Sequence, residues 1–544
     1  MMMMMMAGGA IAQPYAPPER MWYKIAPWYN DSDIQFFHDV TWLGDQNGDG
    51  CDELLVANEP RFREERGDEH FVNNVELYFG SARMDTTADI VFHPTRQYEV
   101  FGIAVTYLGD FTGEGPFDFA IQTGTYDGAD PAQFYDIMNW YVNIYQGGAR
   151  LDTIPDYTIS HRGLFMRLIN NSCPFDLNGD GYNDLMVLMD DHDHTEDLLY
   201  IYFGGAEFDT VEDVILHNRD LGYFGLNGIQ AGKDVNGDGC DDLLICSLNL
   251  HPGPEHGNYF GLYLGGDSIM SVPRFAWRTE SIAGFYLGDA GFVGDVNGDG
   301  FGDWSLAMVN INHGDAEASW VYFGSDRLDS IPDRFPVPGE SPGSGQPFGG
   351  DANGDGRGDL LLNGLGYGMG DIRTYLGSNW FDEHWAVRLN GQDVLGMGTM
   401  ELRQGAYGDF NGDGAGDIVV IGYAGHGTPR RMAIYPGSRG WRLDVPNEYK
   451  TPIPKDLEVV AYPNPFNNQS FVTFQLPERG ELNVVLYDLA GRRVQTFERH
   501  IAAPGSQSLL ISGGGFSSGI YYLVADLTAV TERFQTKAKI VHIQ

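Results

Sequence analysis

Asp176-Leu177-Asn178-Gly179-Asp180-Gly181-Tyr182-Asn183-Asp184-Leu185 places side-chain oxygens at positions 1, 3, 5 and 9 of a nine-residue loop. Asp176, Asn178, Asp180 and Asp184 supply them, and the Tyr182 carbonyl can add another at position 7. Hard oxygen donors around a tight turn suit calcium, which takes about six to eight oxygen ligands. Gly181 lets the chain bend back at positive φ, which a residue without Cβ tolerates. The apolar run Leu185-Met186-Val187-Leu188-Met189 that follows reads as a buried strand.

The loop recurs. Asp45, Asn47, Asp49, Cys51 and Glu53 occupy positions 1, 3, 5, 7 and 9 of a copy at 45–53. Asp234, Asn236, Asp238, Cys240 and Asp242 repeat it, as do Asp295, Asn297, Asp299, Phe301 and Asp303. Further copies are Asp351, Asn353, Asp355, Arg357 and Asp359, then Asp409, Asn411, Asp413, Ala415 and Asp417. At position 7 only the backbone carbonyl is needed, so residue type is free there. A degraded copy spans 110–118, where Thr112 and Glu114 replace Asn and Asp and Pro116 sits at position 7; weak or no metal binding is expected there. The seven starts lie 65, 66, 58, 61, 56 and 58 residues apart, which is the signature of a repeat architecture.

Each unit carries the same order of signals. An aromatic, often Phe-Gly (Phe101-Gly102, Phe224-Gly225, Phe348-Gly349), opens a first short strand ahead of the Asp loop. An apolar second strand follows, such as Leu54-Leu55-Val56 or Ile418-Val419-Val420. A third strand ends in Tyr-x-Gly-Gly/Ser, with its tyrosine at 78, 145, 202, 263, 322, 375 and 435. A polar stretch and a fourth strand lead into the next unit. Four short strands in each of seven units predict an all-β fold, a seven-bladed β-propeller. The last unit is short after Ser438, and Glu19-Arg20-Met21-Trp22-Tyr23-Lys24-Ile25 reads as a strand ahead of the first. Residues 19–26 are therefore expected to complete the final blade and remove its open edge.

Residues 34–450 resemble the FG-GAP repeats of integrin α-subunit propellers and their bacterial VCBS-type relatives. That resemblance implies calcium loops between the first and second strands of each blade, structural in role, with up to six ions and Glu53 in place of the usual Asp. An EF-hand fits less well, because position 12 is apolar (Val56, Val187, Ile245) where that motif needs Glu.

Composition agrees with a turn-rich β protein of more than one domain: 544 residues, 73 of them Gly. Residues 451–544 hold eight Lys/Arg and eight Asp/Glu, so the first 450 carry 25 against 68 and the whole excess of −43. Nucleic acid and anionic membranes are poor partners for such a surface. No apolar run reaches the roughly 18 residues of a spanning helix. Residues 1–18 have an apolar run and an Ala10-Ile11-Ala12 site but no basic start, and read as a truncated signal peptide and leader. Cys51, Cys173, Cys240 and Cys246 show no metal-type pairing, and disulfides and buried thiols both fit.

Pro446, Pro452 and Pro454 mark a linker, and beyond it 456–544 alternates like a small Ig-like β-sandwich: Phe471–Phe474, Leu482–Tyr487, Ile520–Val524, Lys539–Ile543. Tyr462-Pro463-Asn464-Pro465-Phe466-Asn467, Leu486-Tyr487-Asp488-Leu489-Ala490-Gly491-Arg492-Arg493-Val494 and Ser518-Gly519-Ile520-Tyr521-Tyr522-Leu523 follow in order. With the final Lys-x-Ile strand they resemble the C-terminal sorting domain of type IX secretion. Ile511-Ser512-Gly513 departs from that family's Trp-Asp-Gly. The resemblance implies the outer-membrane type IX machinery as a partner, and a location outside a Gram-negative cell or on its surface.

Candidate functional residues beyond the loops lie between second and third strands, on the face opposite the Asp loops. His70, His192, His194, His251, His256, His313 and His426 are there, half of the 14 histidines, with Tyr126, Phe134, Tyr135 and Tyr367. They read as a face for an extracellular glycan or protein ligand, or as solvated polar loops. Asp190-Asp191-His192-Asp193-His194 can be a transition-metal chelate or an acidic loop. Arg357-Gly358-Asp359 looks like an adhesion tripeptide, yet Asp359 is needed by its loop. There is no nucleophile elbow, HExxH or P-loop, so no catalytic residue is assigned. The expected function is binding or adhesion. A lyase-like polysaccharide-active enzyme on the upper face, or a structural surface-layer component, are the alternatives.

Overall fold

The computed structural model describes most of residues 19–542, leaving out 26–34, 60–73, 127–136, 191–196, 218–227, 248–258, 279–284, 311–315, 334–347, 365–370, 379–385, 391–400, 424–429, 442–456 and several shorter stretches. Among the described residues it is all-β, with no α-helix, and is built from small antiparallel sheets. No helix of the described residues is long and apolar enough to cross a membrane.

Seven sheets follow one another along 35–435. The first pairs Gln35–Trp42, Leu54–Glu59, Asn74–Tyr78 and Ile90–Phe92 in chain order. The second uses Glu99–Gly109, Asp118–Tyr126, Ile137–Tyr145 and Tyr157–Arg162, and the third Phe165–Leu168, Leu185–Asp190, Leu198–Tyr202 and Val214–His217. The fourth is Gly228–Ala231, Leu243–Ser247, Tyr259–Tyr263 and Phe275–Arg278; the fifth has three described strands, Phe285–Gly294, Asp303–Asn310 and Ala316–Tyr322. The sixth is Phe348–Gly350, Asp359–Gly364, Asp371–Tyr375 and Val387–Asn390. In the seventh, Glu401–Gly408, Asp417–Tyr423 and Arg431–Tyr435 are joined by Trp22–Ile25 from the start of the chain.

That last pairing was expected from the short final unit. Trp22 sits opposite Ile434 and Ile25 opposite Arg431, so the N-terminal strand covers the outer edge of the seventh sheet. It also reaches the first sheet. Trp22 Nε1 donates to the Asp85 carbonyl at 2.6 Å, its ring meets Tyr78 edge-on, and Lys24 Nζ pairs with Glu76 at 2.9 Å and with the Tyr78 hydroxyl.

Apolar cores lie between sheets rather than within them. Leu55, Leu77 and Phe92 of the first sheet pack with Phe101, Phe119 and Tyr145 of the second. Successive clusters join the second to the third, the third to the fourth, and so on to the sixth and seventh. A last cluster joins Met432 and Ile434 of the seventh to Phe37, Leu54 and Tyr78 of the first. The seven sheets therefore form a closed circuit, each burying both faces against neighbours. This explains why the second strands are mostly apolar: Leu185–Asp190 is buried along its whole length.

The turn between third and fourth strands carries a second repeat inside what the sequence presents as a polar stretch. Asp89, Asp156, Asp213 and Asp333 each accept the backbone N–H of the residue after the signature tyrosine, at 2.8 Å in every case.

Beyond the linker, which lies outside the described residues, two sheets share one core. Glu458–Tyr462, Gln469–Leu476 and Gly505–Ser512 form the smaller. Arg493–Thr496, Gly480–Asp488, Gly519–Ala529 and Arg533–His542 form the larger, with His500–Ala502 also on Gly480–Asp488. Val472, Phe474 and Leu476 meet Leu482, Leu486, Leu523 and Leu527 in between. The strands run longer than the apolar runs that signalled them, because pairing continues through polar residues.

Candidate metal centres

In the loop at 176–184 the two glycines adopt φ of +74° (Gly179) and +92° (Gly181), folding the chain around Asp176. Asp176 Oδ1 accepts the Gly179 and Asp180 N–H groups at 2.7 and 3.3 Å, and its Oδ2 accepts that of Gly181 at 2.8 Å. Asn178 Oδ1 takes the Asp180 N–H and Asp180 Oδ1 the Tyr182 N–H, both at 2.9 Å. The same bonds recur around Asp45, Asp234 and Asp295. Asp351 and Asp409 keep those to positions 5 and 6. Backbone donors orient the carboxylates at positions 1 and 5 while leaving further oxygen lone pairs for a cation. In the first loop the longer Glu53 reaches inward, and Asp45, Asp49 and Glu53 bring oxygens within 4.8 Å of one another. This all-oxygen donor set is the kind a hard divalent ion takes.

Position 9 carries the buried carboxyl of each loop. Glu53, Asp184, Asp242, Asp303, Asp359 and Asp417 are buried. One oxygen of each accepts the position-2 N–H: Leu177 to Asp184 at 2.7 Å, Val235 to Asp242 at 2.8 Å, Val296 to Asp303 at 2.9 Å, Ala352 to Asp359 at 2.8 Å, Phe410 to Asp417 at 3.0 Å, and Gln46 to Glu53. In the five aspartates the other oxygen accepts the glycine of the same sheet's Tyr-x-Gly: Gly204, Gly265, Gly324, Gly377 and Gly437. Burial pushes these carboxyls up, to about 8 for Glu53, Asp184, Asp359 and Asp417 and about 7 for Asp242; Asp303 rises well above its usual value. Neighbouring loop carboxylates raise them further, while the backbone donors oppose the shift.

The loops are also joined to each other. The position-8 N–H of each donates to the position-1 carbonyl of the loop before it. Asn183 bonds Asp110 at 2.9 Å, Asp241 bonds Asp176 at 2.7 Å and Gly302 bonds Asp234 at 2.8 Å. Gly358 bonds Asp295, Gly416 bonds Asp351 and Asp52 bonds Asp409, each at 2.9 Å. Between the first loop and the degraded one a side chain serves instead: Gln46 Nε2 donates to the Phe117 carbonyl and Gln46 Oε1 accepts the Gly148 N–H, both at 2.9 Å. Gln46 stands at a position that is apolar in the other six copies (Phe111, Leu177, Val235, Val296, Ala352, Phe410), and that exception is the signal sequence reading passed over.

Position 7 also contributes its side chain, where only a carbonyl was asked of it. Tyr182, Cys240, Phe301, Arg357 and Cys51 each lie over the position-4 glycine of the preceding loop, respectively Gly113, Gly179, Gly237, Gly298 and Gly412, where a Cβ would collide with them. Arg357 Nη1 also donates to the Asn297 carbonyl at 3.2 Å. The Arg357-Gly358-Asp359 tripeptide is thus bound into its ring on all three residues. None of the four cysteines forms a disulfide, and Cys51 and Cys240 are pushed up to about 11 by burial and loop carboxylates. In the degraded copy Thr112 turns to the position-9 carboxylate: its N–H and Oγ1 both donate to Asp118, at 2.7 and 2.8 Å.

His70, Tyr135, His192, His194, His251, His256, His313, Tyr367 and His426 lie outside the described residues. Tyr126 ends the strand Asp118–Tyr126, opposite Ile137.

Residues 460–541 match the family model described as the Secretion system C-terminal sorting domain. The sorting tail indicates a protein that is secreted or held at the outer cell surface, and it implies interaction with the type IX secretion machinery. No curated protein matches the chain. Among solved structures it is similar to PorZ, described as an essential bacterial surface component of the type-IX secretion system of Porphyromonas gingivalis. Identity there is 11%, coverage 95% of this chain and 60% of that one, and the TM-score 0.31. This chain therefore spans 60% of the PorZ chain's length. The exotype rhamnogalacturonan lyase YesX is similar at 14% identity, over 77% of this chain and 75% of that one, with a TM-score of 0.38. At these TM-scores neither structure bears on what the chain does.

Proposed function

We propose that residues 19–450 are a seven-bladed β-propeller of the FG-GAP kind, stabilised by up to six calcium ions, which acts outside the cell as a binding module for a glycan or protein ligand. Residues 1–18 are its leader, and 451–544 the sorting sandwich that engages the secretion machinery. The observation that carries the reading is how the acidic loops are used. Their carboxylates are tied to backbone donors of the same loop and sheet, and the loops to one another. Calcium in such loops stiffens the ring; the role is structural, not catalytic. Antiparallel strand order sends the connections between second and third strands to the opposite ends of the sheets, as between Asp190 and Leu198. The candidate His and Tyr residues fall in sequence between second and third strands, which is why that face is read as the ligand surface.

The test is the full chain with calcium on a glycan array, each bound glycan then being incubated with protein and checked for cleavage. Binding without turnover is expected; turnover would replace the binding reading with a polysaccharide-active enzyme. Chelation is expected to lower the melting temperature, because a ligand held only by the folded state stabilises it. An identical melt in chelator would remove the calcium role.

A further inference from the structure

The larger sheet of the tail ends in a ten-residue edge strand, Arg533–His542, paired on one side with Gly519–Ala529 in unbroken register. In an antiparallel ladder the N–H and C=O of one residue point to the same side, and successive residues alternate. The outward set is identified by Asn464. Its Oδ1 accepts the Val541 N–H at 2.8 Å and its Nδ2 donates to the Lys539 carbonyl at 2.6 Å, while the Phe466 N–H bonds the Val541 carbonyl at 2.9 Å. Asn464 thus stands in for a partner strand at one end of the edge, which gives the asparagine of Tyr462-Pro463-Asn464-Pro465-Phe466-Asn467 its task. Odd-numbered residues therefore face outward, and among the described residues the outward backbone groups of Arg533, Gln535 and Lys537 make no hydrogen bond, although Glu458–Tyr462 runs close to this strand.

The side chains of Arg533, Gln535, Lys537 and Lys539 are exposed and unequal in charge. Arg533 is paired with Asp526 at 3.2 Å, and the same oxygen accepts from Gln535 at 2.7 Å. Lys537 and Lys539 stand directly opposite Val524 and Tyr522, and Asp526, diagonal to Lys537, is already held by Arg533 and Gln535. Two unneutralised cations two residues apart suit acidic residues at alternate positions of an added strand. Edge-to-edge pairing of two copies would instead set basic residues against basic residues.

We propose that this edge, from Arg533 to Lys539, is a docking site for an extended acidic segment of a partner protein, taken up as an additional β-strand. Main-chain bonds supply the affinity and the two lysines the selection. The site is independent of the calcium loops, so the two readings fail separately.

The probe is a fluorescent octapeptide alternating Glu with Thr, titrated into the full chain with calcium and followed by anisotropy. A Gln–Thr octapeptide and a Glu–Thr octapeptide N-methylated at alternate residues serve as controls. Saturable binding of the Glu peptide alone is expected. Lys537→Glu/Lys539→Glu, which keeps the backbone, and Gln535→Pro, which keeps both lysines but removes an outward N–H, should each weaken it by about tenfold or more. Melting curves verify that the variants fold, and the N-methylated peptide tests the backbone requirement on the unaltered chain. No binding to the unaltered chain, or binding that survives N-methylation, would overturn the proposal. Concentration-dependent dimerisation abolished by Gln535→Pro would give the edge to a second copy instead.

Discussion

Asp184 is buried, accepts from Leu177 and Gly204, and is pushed up to about 8 because burial outweighs those two donors. Its counterparts at Asp359 and Asp417 behave alike. An unfolded carboxyl titrates near about 4, so without metal the folded chain holds extra protons across the window from about 4 to about 8. Stability from this source is complete below the lower value and lost as pH rises through the upper one. Chelated protein should therefore melt at a higher temperature at pH 5.5 than at pH 8. With calcium the trend should flatten or reverse, since metal binding favours the ionised form. Thermal melts at both pH values, with and without chelator, check this; a chelated protein weaker at pH 5.5 would contradict it. At position 5, Asp180→Ala should cut the calcium-dependent rise in melting temperature more than Glu114→Ala, because Thr112 already satisfies the loop that contains Glu114. Equal effects would remove the distinction between the two loops.

The Tyr-x-Gly element shows how a short sequence signal encodes a close approach. A Cβ on Gly204 would run into the carbonyls of Asn183, in its own sheet's loop, and Phe111, in the preceding one. Gly80, Gly147, Gly265, Gly324, Gly377 and Gly437 are crowded by backbone in the same way. Gly204→Ala should therefore cost about 3 kcal/mol by overpacking. Gly181→Ala meets no neighbour and should cost only the about 1–2 kcal/mol of its positive φ. Chemical denaturation in saturating calcium separates the two, and the reverse order would refute the crowding argument. The repeat of loop, apolar strand and Tyr-x-Gly was legible because each is a local pattern within one unit. Gln46 and the position-7 side chains were not, since their partners lie in a neighbouring unit; Gln46 reaches Phe117 across 71 residues.

For the whole molecule, closure rests on the pairing of Trp22–Ile25 with Arg431–Tyr435 and on the core that Trp22 enters between the seventh and first sheets. Trp22→Ala should cost about 3–5 kcal/mol, the range for emptying a large buried aromatic site. Removing residues 19–25 should go further, exposing the edge of Arg431–Tyr435 and promoting self-association. Denaturant melts and light scattering test both, and a truncated chain that stays monomeric with an unchanged melt would place closure elsewhere.

Sequence by itself determined the seven-fold repeat, the all-β class, the acidic loops, the N-terminal strand's membership of the last unit and the sorting tail. Each of these is written in residue type at short, regular spacing. Only the tertiary structure decided how the units interlock: which carbonyl each loop offers its neighbour, why the position-9 carboxyls are buried, and where the tail leaves a strand edge open. Those are contacts between distant segments, and they follow from where the folded backbone puts its donors and acceptors, which no local pattern records.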